Sequence, residues 1–157
     1  MSSNARKQPV IGGAGFTLTE LLVTIAIVAI LATVGYPSYR AQIVQTRRAE
    51  MQSELLSLAQ FFERRHAETG CYNAGPDADC TTTADAAAPD FRDTFEYYGV
   101  ALEEGSLSAD SFTLVATPTG SQAGDGALYI DNAQRRFWDE NNDGDHDDAG
   151  EDNWTRG

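Results

Sequence analysis

The chain has 157 residues, enough for one modest hydrophobic core and not for two. Its 24 Asp and Glu outweigh 11 Lys and Arg, which argues against a general nucleic-acid ligand, because phosphate binding needs clustered cations. Hydrophobic residues make up 41% and are patterned rather than scattered, which excludes ordinary disorder.

Residues 1–15 are polar, carry Arg6 and Lys7, and end in Gly12-Gly13-Ala14-Gly15. Phe16-Thr17-Leu18-Thr19-Glu20 then opens an apolar run that lasts to Tyr36, 21 residues in which Glu20 is the one charge. At a rise of about 1.5 Å per residue, a helix of that length spans about 31 Å, the thickness of bilayer hydrocarbon. A secretory signal would be cut after its apolar run, at an Ala-x-Ala site. Here Ala26, Ala29 and Ala32 stand three apart, so no such site exists. A polar leader and a Gly-Phe junction ahead of the run predict cleavage upstream and a retained anchor. The same alanines, with Gly35, form a small-residue track that lets helices approach closely, although membrane composition by itself favours both residues.

Pro37 predicts a kink, since it removes a backbone donor and crowds the preceding turn. Beyond it, Ala41, Val44, Met51, Leu55, Leu58 and Phe62 recur at alternating three-four spacing, with Arg48 filling the one gap. That is one face of an amphipathic helix ending near Thr69-Gly70, where glycine suits a C-terminal cap. Arg47-Arg48 and Arg135-Arg136 read as small spots of surface charge, and His66 and His146 as surface residues.

Residues 70–90 read as loop. Cys71 and Cys80 within it predict a disulfide in an exported domain, two free cytosolic thiols being the alternative. The bridge places the C-terminal part outside the cytoplasm, which charge counting around the apolar run leaves open. Three β-like runs follow, Phe95–Val100, Phe112–Thr117 and Ala127–Ile130, with Arg136–Trp138 a short fourth. The expected architecture is α+β: a long N-terminal helix, half membrane-spanning (16–37) and half amphipathic (38–69), packed on a small antiparallel sheet of three to four strands within residues 70–157.

The C-terminal segment is crowded with acid. Asp139, Asn141, Asp143 and Gly144 match the first half of a calcium loop, D-x-N-x-D-G, in which alternate oxygens converge as glycine bends the chain. Asp145 would offer its carbonyl and Asp147 a side chain or a water. The pattern calls for glutamate where Gly150 stands, and Glu151 comes one residue later. Phe137 and Trp138 look like strand, so the reading is a calcium loop at a sheet end rather than a helix-flanked EF-hand. The alternative is a solvated acidic tail. No zinc spacing, phosphate loop or nucleophile elbow appears, so no enzyme is expected.

The junction Gly15-Phe16-Thr17-Leu18-Thr19-Glu20 resembles the prepilin cleavage motif, glycine then phenylalanine with glutamate fifth after the cut. Pro37 falls where type IV pilins and pseudopilins commonly carry proline. Tyr36-Pro37-Ser38-Tyr39, Leu55-Leu56-Ser57-Leu58-Ala59-Gln60 and Phe112-Thr113-Leu114-Val115-Ala116-Thr117-Pro118 are similar to minor pilins of the PilE-like group. The resemblance implies that a prepilin peptidase cuts after Gly15 and that Phe16 becomes the N-methylated N-terminus. It implies that Glu20 steers docking of subunits. The implied partners are other pilins, the inner-membrane assembly platform and, before assembly, the membrane, with the head in the periplasm. Nucleic acid is not expected. A type II secretion pseudopilin remains an alternative, as does a DNA-uptake or adhesion pilin whose head binds a ligand.

Intact mass or N-terminal sequencing of the chain recovered from cells should therefore show a protein starting at Phe16. Loss of Arg6 and Lys7 makes that product more acidic than the −13 of the full chain. A product beginning after Tyr36 would contradict the reading.

Overall fold

The computed structural model describes residues 15–75, 79–80, 95–146 and 148–154. The expected leader therefore lies outside the described residues except for Gly15, as do parts of the expected 70–90 loop. Helix α1 (Leu18–Thr69) continues through Pro37 and is followed by Gly70, whose φ of +86° needs glycine and whose N–H donates to the His66 carbonyl at 2.8 Å.

The chain divides into two compact units, Met1–Ala41 and Gln42–Gly157. In the first, every described residue is exposed. The second unit is the head. Its part of α1 buries Met51, Leu55, Ala59 and Phe62. The expected face placed Leu58 in this row, but Leu58 is half-buried and Ala59 takes the core position. A real helix turns once per 3.6 residues, so a strict three-four alternation drifts by about 20° per heptad, which sets Leu58 toward the flank of the buried face.

Four strands face this helix segment: β1 (Tyr98–Leu102), β2 (Thr113–Pro118), β3 (Leu128–Asp131) and β4 (Arg136–Trp138). They form one sheet in the order β1-β2-β3-β4, each neighbour antiparallel. The first three lie one to three residues later than the hydrophobic runs suggested. Register sets Val100 opposite Ala116, Leu114 opposite Ile130, and Leu128 opposite Trp138, so the buried side chains line one face. They join Leu55, Phe62 and Phe112 in one core, with Phe62 stacked on Phe112 at 4.9 Å between ring centres. The Cys71–Cys80 disulfide is present, with its Cα atoms 5.8 Å apart, and Cys71 is buried. His66 stacks on Tyr72 at 4.4 Å and so is not a plain surface residue.

Arg48 corrects the surface-charge reading. It occupies the buried face of α1, one turn before Met51. Its guanidinium carbon lies 3.8 Å from the centre of the Trp138 ring, and its Nε donates to Asp125 Oδ2 at 2.9 Å while a second N–H meets Oδ1. Asp125 is itself buried and accepts from the Tyr98 hydroxyl at 3.1 Å and the Gln122 amide at 2.9 Å. Burial, then the Asp125 charge, pushes the Tyr98 hydroxyl far above the usual phenol range. The adjacent loop leaves no room for a side chain at Gly126: a Cβ there would sit 1.7 Å from the Asp139 carbonyl oxygen, at a φ of +79°.

Arg48→Ala leaves the Asp125 carboxylate buried without its cation. In urea unfolding it should lower the head's stability by about 3 kcal/mol or more. Arg47, whose guanidinium carbon lies 3.5 Å from the centre of the Tyr97 ring, should cost about 1 kcal/mol or less as Arg47→Ala. Equal losses from the two variants would contradict this assignment.

Candidate functional site

At the start of α1, the sequence Thr17-Leu18-Thr19-Glu20 folds as a capping box. The Glu20 carboxylate accepts from the Thr17 N–H at 2.9 Å and from the Thr17 hydroxyl at 2.8 Å, and the Glu20 N–H reaches the Thr17 hydroxyl at 3.3 Å. The Thr-x-x-Glu spacing is the sequence signal of this cap. Glu20 is thus held at the helix N-terminus, within a turn of Phe16, whose side chain is 86% exposed. Gly15 is exposed as well. The helix that follows is long and apolar enough to cross a membrane, with a mean hydropathy of 2.3 over its best 18 residues.

The acidic loop follows β4 in the head. Asp139 is buried, and its two carboxylate oxygens accept the N–H groups of Asp143 and Gly144, each at 3.1 Å. Asn141 Oδ1 accepts the Asp143 N–H at 2.9 Å, and Asn141 Nδ2 donates to both Asp143 Oδ2 and Asp148 Oδ2 at 2.8 Å. The Asp145 N–H turns back to Asp143 Oδ1 at 3.3 Å. Glu151 is buried at 3% exposure, with Oε1 at 3.4 Å from the Asn141 N–H and Oε2 without a hydrogen-bond partner. The fold therefore gathers Asp139, Asn141, Asp143 and Glu151 in one turn of chain. Asp148, which the sequence reading passed over, joins them. Asp147 lies outside the described residues. Among the described residues, no three Asp, Glu, His or Cys side chains are drawn together closely enough to hold a metal ion.

His146 does not point to solvent as expected. Its ring packs against Tyr129 at 4.5 Å and Phe137 at 4.7 Å, pinning the loop to the sheet. The strap after the loop, residues 151–154, is pinned too. The Trp138 N–H donates to the Glu151 carbonyl at 3.0 Å, and the Trp154 indole donates to the carbonyls of Tyr129 and Phe137 at 3.0 and 3.1 Å. Gln52 of α1 donates to the Trp154 carbonyl at 3.1 Å. Burial, then the Asp139 charge, raises the Tyr129 hydroxyl above the usual phenol range.

Residues 13–36 match the prokaryotic N-terminal methylation motif. Residues 37–127, more than half of the chain, match the family described as "Type IV minor pilin ComP, DNA uptake sequence receptor". The chain belongs to this family of type IV minor pilins. It is also 35% identical over 103 residues to the type IV major fimbrial protein FimA of Dichelobacter nodosus, covering 65% of this chain and 59% of that protein. The chain thus spans less than two thirds of that relative's length. A solved structure, the non-core minor pilin PilV of Neisseria meningitidis, superposes with a TM-score of 0.46 at 22% identity, over 60% of this chain and 85% of that one. So loose a superposition adds nothing to the assignment.

Proposed function

We propose that the chain is a structural, minor subunit of a type IV pilus, processed between Gly15 and Phe16 and built into the filament through α1. The observation that carries the reading is the apolar, exposed first half of α1, headed by a single carboxylate. Before assembly the bilayer covers that surface, with the head in the periplasm. In the filament, neighbouring pilin helices cover it, and the small residues Ala26, Ala29, Ala32 and Gly35 permit close approach. A prepilin peptidase and an inner-membrane assembly platform are the partners this route requires.

Cleavage would free an amine at Phe16, and a carboxylate in hydrocarbon costs several kcal/mol unless it is paired. Glu20 is the acid available to it, on the same chain or on the next. The capping bonds to Thr17 hold the carboxylate at the helix end while it waits for that partner.

A second reading, reception of DNA by the head, is favoured by one observation, the description of the family that residues 37–127 match. The excess of 24 acidic over 11 basic residues weighs against it. Salt-dependent binding of duplex DNA to the detergent-solubilised chain would support it.

The subunit reading is tested by Glu20→Val. The variant should insert in the membrane at least as well as the parent, because an unpaired acid is removed. Its recovery in sheared filaments, and its co-purification with other pilins, should fall at least about tenfold, as expected when a buried charge loses its partner. Recovery at the parent level would refute the pairing role.

A further inference from the structure

We infer that the loop from Asp139 to Glu151 is a calcium site, and that the ion latches the C-terminal strap of the head. This goes beyond the subunit reading and does not depend on it. The decisive observation is Glu151. Its carboxylate is 3% exposed, its Oε2 has no hydrogen-bond partner, and no Lys or Arg is paired with it among the described ion pairs. A buried carboxylate left so is costly, and it calls for an ion or water that completes its shell. It lines an open depression with Asn141, Asp148 and Gly150, so a cation has a way in.

The rest of the loop supplies the other oxygens. The Asn141 amide group lies 2.8 Å from both Asp143 Oδ2 and Asp148 Oδ2, placing its partial positive charge between two anions. A cation does that more strongly, and rotation of the amide would then offer its oxygen as a further ligand. Asp139 stands behind, its carboxylate bonded to the N–H groups of Asp143 and Gly144, and holds the bend open. The side-chain donors gathered there are all oxygen, from carboxylate and amide. That set suits calcium, which takes six to eight oxygens in irregular geometry and fills gaps with water. Magnesium demands a tighter octahedron and gives up water reluctantly. Three converging carboxylates are not needed for such a site, because carbonyls and waters count equally as ligands.

Glu151 is also where the strap joins the sheet, through its carbonyl to the Trp138 N–H. Three residues on, Trp154 is bonded to Tyr129, Phe137 and Gln52. An ion on the Glu151 carboxylate therefore fixes a segment that ties β3, β4 and the head's part of α1 together. Ion binding and ordering of the strap are linked, so the folded head gains stability with calcium concentration.

The test uses the full chain in detergent, stripped with chelator and titrated with calcium chloride. Tryptophan emission and melting temperature are followed, with magnesium chloride and sodium chloride of equal ionic strength as controls. Calcium should raise the melting temperature and shift the emission at millimolar concentration or below, and magnesium should do so less. Glu151→Gln should melt no lower than the parent in chelator, because an unpaired buried charge is gone, yet its calcium affinity should fall at least about tenfold. Asp148→Asn changes an exposed residue and should weaken calcium binding in the same direction without unfolding risk. An equal response to calcium and sodium, or parental calcium affinity in both variants, would overturn the site.

Discussion

A helix satisfies its own backbone but cannot cover its own side chains. Between Leu18 and Tyr39 the large apolar side chains of α1 are 51–75% exposed, on all sides of the helix. At about 25 cal/mol for each Å² left in water, such a surface is not sustained by a free subunit. It needs lipid, or other helices like itself. On the proposed reading, a bilayer covers that surface before assembly and a filament covers it afterwards. Glu20, exposed at the helix start, matters under this constraint, since hydrocarbon penalises an unpaired carboxylate heavily.

The head obeys a different rule. Its helix segment has one apolar face, and the sheet supplies the other half of the core. What fixes the helix along the sheet is polar: Arg48 on Trp138 and Asp125, with Gln122 donating to the Val44 carbonyl at 3.0 Å. Hydrophobic packing tolerates sliding, whereas a buried charge with one partner does not. The strap adds a second tie at Gln52, one turn beyond Arg48. Both ties lie on the head's part of α1, so they fix that segment along the sheet.

Much of this was legible in the residues. The helix end at Gly70, the four strands and the disulfide follow from periodicity, turn residues and cysteine spacing, all of them local. Arg48 was misread because an arginine on an apolar face looks like a gap. Its partner Asp125 is 77 positions away, and nothing near Arg48 announces it. The aromatic Phe95 and Tyr97 suggest an early start for β1, yet they lie at the edge of the core rather than in the ladder. Acidic neighbours suggest a solvated His146, whereas the fold lays it across Tyr129 and Phe137. The oxygen spacing of the acidic loop was visible, but the burial of Asp139 and Glu151 was not. Burial is decided by where β4 and the strap pack, and composition says nothing of that.

The central claim is that the exposed half of α1 is covered by other pilin helices in a filament. A photo-crosslinking residue in place of Val28, in cells that assemble pili, tests it most directly. Irradiated filaments, sheared and resolved by mass, should contain adducts joining this chain to another pilin through that position. A chain absent from the filaments, or present there without any such adduct, would contradict the account.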